Sequence, residues 1–140
     1  MMDQEEFSAA SFFRFLGEGK LVASQCLRCG DLHLPPRPLC PRCFGQAMAW
    51  QELRGEGKVV SFTSIAVVPT FMAQEGYGRE RPYVVAVVEL AEGPRISAQL
   101  VDVDAQKPEQ LSIGMPVEAR FLERGDGENK QTFLAFRPKG

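Results

Sequence analysis

Apolar positions along this chain change their spacing twice. Between Asp3 and about Leu16, "EEFSAASFFRFL" clusters large apolar side chains without Gly or Pro, which predicts a helix that Gly17 and Gly19 stop. Phe12, Phe13, Phe15 and Leu16 are more apolar bulk than a self-contained surface helix carries, so they either pack on the rest of the chain or form a docking face. From Lys20 to about Leu53 the apolar runs are short: "LVASQ" reads as a strand, and "MAWQEL" follows after a cysteine-rich interval. Trp50, the single tryptophan, is expected against this module or at its junction with the next.

Beyond Gly55 the pattern becomes that of strands. "KVVSFTSIAVV" (Lys58 to Val68) is β-branched, and "YVVAVVEL" (Tyr83 to Leu90) is nearly continuous apolar, as a buried strand would be. "RISAQLV" alternates, with Ile96, Ala98 and Leu100 on one face; "VEARF" does the same with Val117, Ala119 and Phe121; "QTFLAFR" (Gln131 to Arg137) is the last strand. Turn signals stand at "EGP" (Glu92 to Pro94) and at "GDGEN" (Gly125 to Asn129), the latter a hairpin. Five strands, with long connections over 69–82 and 102–115, give the chain order of an OB-fold barrel. Pro108 limits the second connection to a turn of helix or so. The expected architecture is mainly β: an N-terminal helical segment (1–19), a rubredoxin-like zinc ribbon (20–53) and a five-stranded OB-fold domain (54–140).

The chemistry-bearing residues sit in the middle segment. Cys26, Cys29, Cys40 and Cys43 form C-x-x-C, ten intervening residues, then C-x-x-C. Each pair can aim two thiolates at one ion from a tight turn, and two pairs supply the four soft ligands of a tetrahedral zinc site. Iron in the same four-sulfur set stays an alternative, because the ligand geometry is shared. Gly30 and Gly45 are placed to take the positive φ of each turn, and Arg28 and Arg42 to offset the charge of the centre. Four thiolates leave no open position for water, so the metal is structural. His33, the only histidine, reads as a solvated or hydrogen-bonding loop residue.

Composition narrows the function. The 140 residues are 44% hydrophobic and 24% charged, values of a globular chain, with a net charge of −2. The pI near 5.5 offers no global attraction for a phosphate backbone. A single-stranded nucleic-acid-binding ribbon/OB module is the alternative reading, weakened by that charge and by aliphatic strands. No apolar run reaches the roughly 18 residues of a membrane span, and "MMDQEEF" lacks a signal's basic and apolar regions, so a reducing cytoplasm is expected. Nucleophile-elbow and phosphate-loop motifs are missing, and the two "GEGK" stretches read as turns.

The order of features, however, has a match. An aromatic helix precedes the cysteines with "LPPRPLCPRC" among them; "G-x-G-x-V-x-S-F-T", "PYVVAVVELAEGPRISAQLV", "IGMPVEARF" and "FLAFRP" follow. This resembles the acyl-CoA-associated zinc-ribbon/OB-fold family, long filed as a domain of unknown function. The resemblance implies a noncatalytic accessory subunit in a hetero-oligomer with a thiolase-fold enzyme, or in some cases a hydratase, that carries the chemistry. It also implies coenzyme A as a possible shared ligand. In that event the first long connection, "PTFMAQEGYGRERPY", is the expected contact. Arg79 and Arg81 would meet phosphates, and Phe71 or Tyr77 would cover adenine.

Overall fold

The computed structural model of the chain describes residues 7–124 and 131–139. Helix α1 (Ala9–Gly17) begins where Ser8 caps it, the Ser8 Oγ accepting from the Ser11 N–H. Ser8 has extended backbone, so the described helix starts at Ala9, and the part of the expected helix over residues 3–6 lies outside the described residues. At the other end Gly19 takes φ +76°, and the Gly19 and Lys20 N–H groups close onto Leu16 and Phe15. That Schellman arrangement favours a residue without a Cβ. Phe12, Phe15 and Leu16 are buried, while Phe13 meets Phe12 and Phe133 edge to face. The helix thus spends its aromatic bulk inward, against the first strand (Leu21–Cys26) and the final strand (Gln131–Pro138).

Strands β1 (Leu21–Cys26), β2 (Leu32–His33) and β3 (Met48–Leu53) form an antiparallel sheet in the order β2-β1-β3. β1 is its centre, with every residue but Gln25 buried. Its one buried polar side chain, Ser24, accepts the Arg37 N–H at 2.9 Å, which ties the intervening loop to the sheet.

β4 (Glu56–Ile65), β5 (Tyr83–Leu90), β6 (Arg95–Leu100), β7 (Pro116–Arg124) and β8 (Gln131–Pro138) close a barrel in the order β4-β5-β6-β8-β7. β6 and β8 run parallel through Gln99↔Ala135 and Leu100↔Phe136, and the other pairs are antiparallel. This is the five-stranded OB arrangement expected. The expected inward faces hold: Leu100 and Val117 are in the core, with Ile96, Ala98, Ala119 and Phe121 packed against it. β4 starts earlier than its apolar run, because Glu56 to Lys58 pair with β7, and it ends at Ile65, three residues before that run does. β5 alternates rather than being buried on both faces: Val84, Ala86, Val88 and Leu90 face the core, whereas Val85 and Val87 are half-covered. The 102–115 connection holds only the 3-10 turn Pro108–Gln110, which proline opens. The hairpin signal at Gly125 to Asn129 lies outside the described residues.

One core joins these parts. Phe12 and Leu16 of the helix and Leu21, Ala23 and Leu53 of the ribbon sheet cluster with Val59, Val84, Val88, Leu100, Val117 and Phe136 of the barrel. The ribbon sheet consequently shares its apolar core with the barrel.

Candidate metal centre and barrel-mouth clefts

The two cysteine pairs sit on two turns of the same build. In the first, the Gly30 N–H donates to the Cys26 carbonyl at 2.8 Å and the Cys26 N–H to the Asp31 carbonyl at 2.8 Å. In the second, the Phe44 N–H donates to Cys40 at 2.8 Å and the Cys40 N–H to Gly45 at 3.0 Å. The repeated bonds set Gly30 and Phe44 in equivalent positions. Gly30 has φ +85°, as expected; in the second turn it is Phe44, at φ 62°, and not Gly45, that takes the left-handed conformation.

These turns bring the four thiols together. Sγ of Cys26 lies 3.5 Å from that of Cys43, and Sγ of Cys29 lies 3.6 Å from that of Cys40. All four ligand atoms fall within 4.8 Å of one another, with Cys26 and Cys40 buried and Cys29 exposed. Zinc–sulfur bonds of about 2.3 Å at tetrahedral angles separate sulfurs by about 3.8 Å, so the donor set fits a four-thiolate ion with little adjustment. The Cys29 N–H, with that of Arg28 and the neighbouring sulfurs, lowers the Cys26 thiol to about 6. Cys29, despite the pull of the Asp31 N–H, is raised to about 12 by the partial desolvation of its sulfur within the cluster and by the Cys40 sulfur, although the residue as a whole is exposed. A cation is what lets the remaining protons leave.

Around the cluster, the Arg42 guanidinium pairs with Asp31 at 3.1 Å. His33 does not stand in a solvated loop: it lies on β2 opposite Ser24, with Nε2 buried and without a hydrogen-bond partner. A His33 nitrogen, an Asp31 oxygen and the Cys40 sulfur also lie within 4.8 Å of one another. Trp50 of β3 stacks on Phe7 at 4.4 Å and meets Phe15 edge to face at 5.0 Å, which places it under the helix at the ribbon's base.

The 69–82 connection crosses the barrel mouth. It opens with the short helix α2 (Thr70–Ala73), whose Met72 is buried while Phe71 is exposed. Tyr77 lies edge to face with Tyr83 at 5.4 Å, its hydroxyl accepts from Gln99 Nε2 at 3.1 Å, and the Arg81 guanidinium covers its ring at 4.3 Å. Arg81 also donates to the Glu75 carbonyl at 3.0 Å, and Arg79 is exposed near the loop tip.

Phe71, Tyr77, Arg79 and Arg81 are thus not gathered into one site. Phe71 borders an apolar cleft of about 260 Å³ with Val85, Phe133 and Leu134. Tyr77 and Arg81 border a polar cleft of about 370 Å³ with Asp102, Asp104 and Gln106. Tyr83 and Gln99 line both and form the wall between them. Arg124, which nothing in "VEARFLER" distinguishes from a solvated strand-end charge, is the residue missed. Its guanidinium meets Glu75 at 3.0 Å, donates to Gln99 Oε1 and lies 5.2 Å from the Phe133 ring centroid.

Residues 14–49 match the model of the ChsH2 rubredoxin-like zinc ribbon domain, and residues 50–122 that of the ChsH2 C-terminal OB-fold domain. A DUF35 domain-containing scaffold protein of Methanocaldococcus jannaschii is 38% identical over 110 residues, 76% of this chain and 72% of that one. The probable enoyl-CoA hydratase alpha subunit of Thermomonospora curvata is 36% identical over 129 residues, 92% of this chain and 37% of that subunit. Benzoylsuccinyl-CoA thiolase subunit BbsA of Thauera aromatica is 34% identical over 80 residues, 57% of this chain and 51% of that one. The solved Ltp2-ChsH2(DUF35) aldolase superposes with a TM-score of 0.76 at 33% identity, covering 96% of this chain and 97% of that chain.

Proposed function

Because the chain belongs to the ChsH2 (DUF35) family of paired zinc-ribbon and OB-fold domains, we propose that it is a noncatalytic accessory subunit of a thiolase-type acyl-CoA enzyme in the cytoplasm. The observation that carries this reading is the likeness to BbsA, a named subunit of a CoA-ester thiolase, in a chain whose own reactive side chains are otherwise committed. All four cysteines converge on one cluster and the single histidine lies beside it, so neither barrel-mouth cleft holds a thiol or an imidazole. The likeness to the hydratase alpha subunit over 92% of this chain supports the same accessory role beside a hydratase as the second reading.

In this role Cys26, Cys29, Cys40 and Cys43 hold zinc, which supplies rigidity at the ribbon's end and no open coordination position. Coenzyme A, where this subunit touches it, would place its phosphates on Arg81 and Arg79 at the rim of the polar cleft, outside the carboxylates of Glu80, Asp102 and Asp104 that line it. Tyr77 already carries Arg81 on one face, and Phe71 serves the apolar cleft instead. The test is a native pulldown with the tagged, metal-loaded chain, followed by acyl-CoA assays of the chain alone and of the complex. A co-purifying thiolase-fold enzyme, with turnover only in the complex, is the expected result. Turnover by the isolated chain, or no such enzyme recovered, overturns it.

A further inference from the structure

The structure points to the cysteine end of the ribbon as a docking tip, and we propose that Phe44 is its anchor, seated in an apolar pocket with a carboxylate rim on the catalytic enzyme. This rests on the accessory-subunit reading above. The two metal-binding turns make the same backbone bonds, yet where the first has Gly30 the second has Phe44 in the left-handed region, at φ 62°. A side chain there is strained, and glycine would satisfy the turn at no cost. Among the described residues no packing of the side chain offsets the strain, because Phe44 is 73% exposed. Strain held in place without an internal contact to justify it is what a binding element carries.

Phe44 is not alone. Leu27 is 64% exposed and Leu39 44% exposed, and all three residues directly adjoin cysteines of the one cluster, so they ring the same rigid end. Gly45, next to Phe44, backs onto the Arg28 side chain, which brings the two turns' outer residues together. An exposed aromatic flanked by aliphatic side chains on a pre-ordered base has the make-up of an interface anchor.

The charges select the occupant. Arg28 and Arg42, inside the two cysteine pairs, are exposed at this end, and Asp31, already paired with Arg42, is the only carboxylate among residues 20–45. Even with a formally dianionic four-thiolate zinc centre behind them, the arginines exposed on the tip present guanidinium groups. Isologous pairing of two such tips would set guanidinium against guanidinium, which disfavours a second copy. A partner surface with carboxylates around an apolar pocket meets both features.

The test starts from the enzyme that co-purifies with the wild-type full-length chain, identified by mass spectrometry and then purified for affinity measurement. Phe44→Gly should keep the thiolate absorption of the cobalt-substituted cluster and melt no lower than wild type, while binding that enzyme at least about tenfold more weakly. Arg28→Glu with Arg42→Glu should also weaken binding, and Val67→Ser, an exposed apolar position on the barrel side, should not. Equal affinity of wild type and Phe44→Gly overturns the docking tip while leaving the accessory role intact. Failure of the wild type to retain any acyl-CoA enzyme overturns both. Self-association lost on Phe44→Gly assigns the tip to a second copy and overturns the proposed partner.

Discussion

The Arg124 guanidinium lies 3.0 Å from the Glu75 carboxylate, and this contact fastens the connection across the barrel mouth to the end of β7. The side chain is 15% exposed, braced by Phe133 and donating to Gln99, which in turn donates to the Tyr77 hydroxyl. The loop's polar contacts on the barrel therefore converge on one strand-end arginine. Arg124→Ala removes the Glu75 ion pair and the bond to Gln99 Oε1, leaving the bond from Gln99 to Tyr77. It should cost about 1–2 kcal/mol, more than a solvated ion pair, because Gln99 loses a partner in a half-buried place. Urea midpoints measure the loss. Hydrogen exchange should show the amides of 72–78 opening before those of β5. Unchanged protection there would mean that the loop is held without Arg124, by buried Met72, the Tyr77–Gln99 bond and the bond from Gln106 to the Glu80 carbonyl.

The sulfur cluster and the barrel should not be independent. Leu21 and Leu53 of the ribbon sheet sit in the same apolar cluster as Val59, Val117 and Phe136 of the barrel. Cys40→Ser, at a buried ligand position, should lower the metal content from about one zinc per chain and broaden the cluster. It should also lower Tm by roughly 10 °C, since a few kcal/mol moves a chain of this size by that much. Chelator treatment of the wild type should reproduce the shift. Two well-separated thermal transitions with an unmoved upper one would show that the shared core does not couple them.

Much of this was legible in order and period. Alternation in "RISAQLV" and "VEARF" is a local property of each strand, and the structure keeps the inward set that the pattern names. The cysteine spacing likewise encodes two turns, and the turns are there. What failed to show was set by distant contacts or by conformation without a residue signature. Gly45 drew the positive φ by its type, yet the bond from the Phe44 N–H to Cys40 places that conformation one residue earlier. Tyr77 and Gln99 meet across 22 positions, so the wall dividing the two clefts has no local signal. Phe71 and Tyr77 looked like alternatives for one adenine because they share a loop, but they face different clefts.

Acid should weaken the barrel through its paired glutamates. The Glu89 carboxyl is held below the usual range, first by the hydrogen bond from Arg95 and then by the charges of Arg95 and Lys58, and Glu56 is lowered by Lys139. A carboxyl depressed in the folded state contributes stability above its unfolded pKa of about 4.3, lost as pH falls through the lower folded value. Wild-type stability should therefore fall with pH below about 4.3. Glu89→Gln should be less stable than wild type near neutrality and converge with it in acid. Parallel pH profiles for the two proteins would remove Glu89 as a source of the acid limb.

The separation of the two clefts makes the coenzyme A reading testable by residue. Arg81 lines the polar cleft and has no carboxylate partner among the described residues, its polar bond going to the Glu75 carbonyl; Phe71 lines the apolar cleft. If the phosphates of coenzyme A meet the rim of the polar cleft, Arg81→Ala in the reconstituted complex removes charge-assisted hydrogen bonds of about 1.5–3 kcal/mol, a tenfold or larger rise in KM. Because this subunit supplies no reacting group, kcat should stay near the wild-type value, the pattern of lost uniform binding. Phe71→Ala should leave KM for a short acyl-CoA unchanged. A fall in kcat with constant KM on Arg81→Ala would move the residue's role from ligand contact to assembly. A KM effect confined to Phe71→Ala would transfer the contact to the apolar cleft.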